Sequence, residues 1–295
     1  MKKSILTAAI LGLSVSAFAD NTPLWLRYSA ISPDGKTIAF SYKGDIFSVP
    51  VNGGIARQLT TNPAYDAYPV WSPDGQNIAF SSSREGSLDI YLMSKDGGTP
   101  KRLTTNSGSE TPMAFKDNNH ILFTTEVMPT AKSIYFASGI FPQTYEVTTD
   151  GSRPRLVSPT TMCDVSINSK GEMLYHDSKG YEDNFRKHHR SPVTRDIWLY
   201  REGKYTKLTD FNGEDRTPVW ASNGTSYYYL SEEDGTFNVY KRNLDGSGKK
   251  QLTFHKKNPV RFLTAANNGT LCYGYDGEIY TLNEGKEPQK VNISI

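Results

Sequence analysis

A hydrophobic residue followed by Ser-Pro-Asp-Gly occurs at Ile31–Gly35 and again at Trp71–Gly75. Worn copies follow at Phe115–Asn119, Ile167–Gly171, Trp220–Gly224 and Ala265–Gly269. A repeat of this length constrains the fold before any single residue is read, because each unit must bury its hydrophobic face against its neighbours. Pro and Asp preset such a turn, and Gly supplies the positive φ that closes it.

Each unit carries the same ordered marks. A second apolar run follows the turn: Ile38-Ala39-Phe40, Ile78-Ala79-Phe80, Ile121-Leu122-Phe123, Met173-Leu174-Tyr175, Tyr227-Tyr228-Tyr229 and Leu271-Cys272-Tyr273. Next comes a polar–aliphatic–aromatic triplet such as Asp45-Ile46-Phe47 or Asp89-Ile90-Tyr91, weak only in the third unit at Gln143-Thr144-Tyr145. A second turn (Asp96-Gly97-Gly98, Asp150-Gly151) leads to a closing strand that ends Leu59-Thr60, Leu103-Thr104, Leu156-Val157, Leu208-Thr209 or Leu252-Thr253. Short β-branched and aromatic runs between turn formers read as strands joined by hairpins. With four strands per unit and six units, the expectation is an all-β, six-bladed β-propeller of four-stranded blades, a closed ring with few exposed sheet edges. The predicted blades span about 24–60, 61–104, 105–157, 158–209, 210–253 and 254–295 within a domain of 20–295. The first unit opens on its own first strand, Leu26–Ile31, and the sixth closes on its own last strand, Gln289–Ile295. The ring is therefore expected to close by packing, without strand exchange, and the end of the chain reads as a module boundary.

Residues 1–19 read as a cleavable signal peptide: Lys2 and Lys3, an apolar core from Ile5 to Val15, then Ala17-Phe18-Ala19 with cleavage after Ala19. The apolar stretch is shorter than the roughly 20 residues a membrane span needs, so an exported, periplasmic protein with no membrane span is expected. Net charge is +2, from 33 basic and 31 acidic residues, with Lys2 and Lys3 accounting for the excess. No basic face is implied, which argues against nucleic acid as a partner. Cys163 and Cys272 fall in non-adjacent blades and are expected as two separate thiols.

Two places break the repeat. Thr124–Pro142 enlarges blade three and carries Phe136 and Phe141; His176–Arg195 enlarges blade four and carries Tyr181, Phe185, Arg186, Lys187, His188, His189 and Arg190. Both lie between the second and third strands, so both emerge on the face that carries the links between blades. That one-sided elaboration points to a face that meets a protein or peptide. The blade-four loop reads either as a docking or substrate-guiding loop or as a solvated one. His188-His189 with Glu182 and Asp183 matches no zinc spacing, and adjacent histidines on an extended strand point apart. No Gly-x-Ser-x-Gly elbow occurs and no catalytic motif stands out. The sequence calls for no cofactor and no metal.

Five residues before each turn's hydrophobic anchor stand Leu26, Asp66, Glu110, Met162, Asp215 and Val260. The acids Asp66, Glu110 and Asp215 read in two ways. They could form an arc at one mouth of the central channel that attracts a cation or an amino terminus, or they could cap backbone N–H groups in the links between blades.

The residues also resemble a known family. Trp-Ser-Pro-Asp-Gly with Ile-Ala-Phe, Asp-Ile-Tyr, Gly-Gly and Leu-Thr is the repeat shared by the Tol-system translocation propeller and the tricorn protease propellers. Gly180-Tyr181-Glu182-Asp183, Phe185-Arg186-Lys187-His188-His189, Thr194–Tyr200 and Phe211–Arg216 with Pro218-Val219-Trp220 resemble, more specifically, the amino-terminal six-bladed propeller of bacterial tricorn-like serine proteases. The resemblance covers residues 22–295. It implies a module that gates or guides peptides for a periplasmic peptidase, with the serine nucleophile on segments absent from this chain. Its partners would be further domains of a longer peptidase chain and further copies in a homo-oligomer. The other reading is a free-standing periplasmic propeller that scaffolds envelope complexes, as the Tol propeller does.

Overall fold

The computed structural model describes residues 23–125, 142–180 and 191–295. Among these residues there is no helix, and the strands form six four-stranded antiparallel sheets. Blade one is Arg27–Ile31, Thr37–Tyr42, Asp45–Pro50 and Arg57–Gln58, hydrogen-bonded in that order, and the other five blades repeat the plan. No blade borrows a strand from another. This is the six-bladed, unexchanged propeller that the repeat predicts.

The three-residue apolar run explains how the blades stack. Side chains alternate along a strand, and here the alternation gives each blade a back and a front. Ile78 and Phe80 pack back against blade one, whereas Ala79 faces blade three. Ile121 and Phe123 pack back on blade two, and Leu122 faces blade four. Tyr227 and Tyr229 meet blade four, and Tyr228 meets blade six. The same rule closes the ring: Ile38 and Phe40 of blade one meet Cys272 of blade six. The core is thus divided into six clusters, one at each seam between blades.

The Ser-Pro-Asp-Gly turn is a small hydrogen-bonded cage. Ser32 Oγ donates to Asp34 Oδ1 at 2.6 Å, and that oxygen accepts the Lys36 amide at 3.0 Å. The amide of Gly35, at φ 73°, donates to Ser32 O. Asp74 repeats these contacts, Asn223 replaces the carboxylate in blade five, and in blade four Asn168, at the serine position, accepts the Lys170 and Glu172 amides. The accepted bonds hold Asp34 and Asp74 below the usual carboxylate range.

One expectation needs correction. Gln289–Ile295 is not a single strand: Gln289–Lys290 completes blade six, and Ile293–Ser294 then crosses the seam to pair in parallel with Gly54–Ile55 of blade one. Asn292 O accepts the Gly54 amide at 2.9 Å, and Ser294 O accepts the Ala56 amide at 2.8 Å. Val291 and Ile293 are buried in the seam cluster, so an apolar pair draws the chain across. The ring is closed by packing plus this outer tie.

Candidate functional site

The innermost strands of all six blades surround one cavity of about 1950 Å³. Each of these strands is broken one to three residues from its start by a shift in register against its neighbour. At the break, Tyr28, Tyr68, Asp164, Thr217 and Phe262 hold φ between 48° and 59°, a left-handed conformation uncommon for such side chains. The equivalent residue of blade three is Pro112, whose ring forbids positive φ. Bulges that re-aim side chains are a recurrent feature of binding sites.

Asp66, Glu110 and Asp215 stand two residues before these breaks, and all three are buried. None lines the cavity. Glu110 reaches back to the closing threonine of the preceding blade and accepts from Thr104; Asp66 and Asp215 are buried beside the corresponding threonines, Thr60 and Thr209. Those threonines in turn accept the amides of Ile46, Ile90 and Ile197 at 2.9–3.0 Å. Asp66 also pairs with Arg84 at 2.8 Å. Burial raises all three carboxyls, Glu110 and Asp215 up to about 7, against the lowering effect of the hydroxyl bonds. The acids are therefore buried away from the cavity, so the arc at the channel mouth, one of the two readings of this column, does not form.

The next residue along reaches the cavity wall in every blade but the second. That position holds Arg27, Ala67, Thr111, Cys163, Arg216 and Arg261 in blades one to six. The three arginines fall on the consecutive blades five, six and one, and all three line the cavity. Arg195 lines it too, and donates to Glu214 Oε1 at 3.0 Å; Arg216 Nε donates to the same oxygen. The Arg216 guanidinium lies 5.1 Å from the Phe237 ring centre. Beside the arginines, the Tyr28 ring lies tilted by 39° against Tyr68 with centroids 4.0 Å apart and meets Phe262 edge-on at 4.9 Å. Burial pushes the Tyr28 phenol up to about 12, helped by its bond to Tyr68 Oη. Sequence reasoning reached the column of acids and stopped one residue short of this one; the repeat alignment itself held the signal.

His176, at the end of the second strand of blade four, is buried. Its Nδ1 accepts the Thr217 amide at 3.3 Å, and burial lowers its pKa to about 3, so it is neutral. Cys163 and Cys272 are both free thiols pushed up to about 12 by burial. No metal-holding group of His, Cys, Asp and Glu occurs among the described residues.

Phe136, Phe141, Tyr181, Phe185, Arg186, Lys187, His188, His189 and Arg190 lie outside the described residues, as does the signal-peptide stretch. The stems of the two insertions are described. Thr125 pairs with both Glu110 and Gln143, and His176 with both Cys163 and Ile197. Both insertions therefore leave from the end of the blade where the innermost strand starts, which is also the end that carries the arginines. In blade four, Asp177 accepts the Asp196 amide at 2.8 Å and the Trp198 indole at 3.0 Å, while Lys179 bonds to Asp196.

Comparison with known proteins agrees with this architecture. The chain is 24% identical over 282 residues to tricorn protease homolog 1 of Streptomyces coelicolor, covering 92% of this chain and 25% of that protein. It is 25% identical over 207 residues to the tricorn protease of Thermoplasma volcanium, covering 67% of this chain and 18% of that one. The crystal structure of the tricorn protease superimposes with a TM-score of 0.76 at 21% identity, over 92% of this chain and 26% of the other. TolB from Acinetobacter baumannii shares the fold, with a TM-score of 0.57 at 20% identity over 80% and 56% of the two chains. The chain thus spans about a quarter or less of the length of these tricorn relatives. No helix among the described residues is long and apolar enough to cross a membrane. The tricorn protease N-terminal beta propeller domain matches residues 23–288, and the chain belongs to that family.

Proposed function

We propose that this chain is a non-catalytic propeller module that gates or guides peptide substrates for a periplasmic tricorn-like serine peptidase, with bond cleavage carried out by other segments. The observation that carries this reading is positional. A wide channel, its arginine-lined wall and the stems of both insertions share one end of the ring, in a domain whose relatives are proteases of which it spans about a quarter. A chain entering there would meet backbone and side chains of every blade before leaving by the turn-bearing face. The insertions would meet the partner that delivers or receives it.

The test is capture from a periplasmic extract with the mature chain as bait, with mass spectrometry and casein cleavage on the same sample. Recovery of a peptidase, with the bait itself inactive, is the expected result. Recovery of envelope or lipoprotein partners would instead support a scaffold, and cleavage by the purified chain would overturn the module reading.

A further inference from the structure

We propose that the bulge residues of the six blades form a collar in the channel, and that its apolar side, made by Phe262, Tyr28, Tyr68 and Pro112, holds an aromatic side chain of a peptide in transit. The identity of the ligand rests on the peptide-guiding reading; the collar itself rests on geometry. All six residues hold one equivalent position at the register break, and all line the same cavity. Contacts across the seams put them at one level. Phe262 of blade six meets Tyr28 of blade one, and Tyr28 meets Tyr68 of blade two. On the far side, the Thr217 hydroxyl of blade five donates to Asp164 of blade four at 2.7 Å.

Two observations single out the rings. First, Tyr28, Tyr68 and Phe262 sit at φ between 53° and 59°, where a bulky side chain costs free energy that glycine or asparagine would avoid. Strain of this kind gathers at ligand clamps, and these rings are only half-buried, so part of each stays open to the channel. Second, Gly274 stands opposite Arg261 on the second strand of blade six, and a Cβ there would lie 3.0 Å from the Phe262 ring. Every other blade carries a side chain at that position: Ser41, Ser81, Thr124, His176 or Leu230. Blade six alone makes room there for a ring. The chemistry of this side is apolar. Tyr28 donates its hydroxyl to Tyr68 at 3.2 Å, and Pro112 adds a carbon ring with no N–H donor. None of the four is acidic, and the one carboxylate of the collar, Asp164, stands across the channel. An arriving ammonium would therefore meet no countercharge among them. An aromatic side chain of an extended peptide would instead add one more ring pair to a row that already packs ring on ring.

Fluorescence anisotropy on the full chain would test this with three peptides of one length and one Gly-Ser frame. They carry the same dye and the same ends, with Phe, Ala or Lys at the centre. The Phe peptide should bind about tenfold tighter than the Ala peptide, a factor within reach of one added ring pair and its buried area. Tyr68→Asn with Phe262→Asn should erase that difference. Asparagine tolerates the left-handed backbone, so the melting temperature should stay within a few degrees of the wild type. Gly274→Ala keeps every ring but presses on Phe262. It should also shrink the difference, which keeps the proposal testable if the double variant fails to fold. Tyr205→Asn, which removes an exposed ring from the outer edge of blade four, should leave the difference unchanged. Equal binding of the Phe and Ala peptides, tighter binding of the Lys peptide, or a Phe preference that survives both collar variants would overturn the collar and leave peptide guiding standing. If no peptide binds, the melting temperature with N-acetyl-phenylalaninamide decides. A rise in the wild type that is absent from the double variant keeps the aromatic site and removes the peptide reading, and no rise removes both.

Discussion

Thr104 shows how one hydroxyl can hold two blades. It accepts the Ile90 amide within its own blade and donates to Glu110 of the next. Thr104→Val keeps the shape but strands a buried amide and a buried carboxyl, and should cost about 1–3 kcal/mol in urea unfolding. The carboxyls make a second prediction. Folding raises Glu110 and Asp215 to about 7, against roughly 4 for the free side chains. The fold therefore favours their protonated forms: that contribution is complete below about pH 4, is lost as pH rises to about 7, and is flat beyond. Glu110→Gln with Asp215→Asn should lose less stability than the wild type between pH 4.5 and 7.5, read as urea midpoints at each pH. An equal loss in both proteins would show that these acids are not the groups responsible. At this scale the repeat exposed the column of acids, since every unit could be aligned on its turn. Which way the Glu110 carboxyl faced depended on Thr104 of the preceding blade, a partner that sequence spacing alone does not supply.

Within the elements, a continuous apolar run made the second strands readable, because Ile-Ala-Phe and its variants are apolar on both faces and must lie between two blades. The bulges were not readable. Their left-handed residues are Tyr28, Tyr68, Asp164, Thr217 and Phe262, where glycine would have been the signal. The tie between Gly54–Ile55 and Ile293–Ser294 was hidden for a different reason: each strand is two residues long and its partner lies at the far end of the chain. Gly53 is its weak point. It sits at φ 86°, and a Cβ there would come within 2.4 Å of Asn292 O. Gly53→Ala should break the tie, speeding amide exchange at Gly54 and Ala56, with protection inside blades two to five unchanged. Unchanged exchange at those two amides would mean that the pair forms despite the added methyl.

For the whole molecule, counting repeats was enough to give the number of blades and a ring without strand exchange, though not the outer tie across its seam. The identity of the binding face followed only in part, because the longest insertion could be located by sequence but not given a partner. Removing residues 181–190 should leave the melting temperature within a few degrees of the wild type. The stem below them is held by Asp177, Lys179, Asp196 and Trp198, none of which is deleted. Partner recovery should fall to background in the same variant; a collapsed melt would show that the segment is needed for folding.

The alternation of large residues behind and a different set in front has a further consequence. Every seam joins the front of one blade to the back of the next, so the contact is heterologous, and the ring ends only because the sixth front meets the first back. Opening that one seam would expose two complementary surfaces on the same molecule, one at each end of an arc. Two opened arcs could then satisfy each other as readily as themselves, and the product of mild heating at high concentration would be head-to-tail chains of otherwise intact blades.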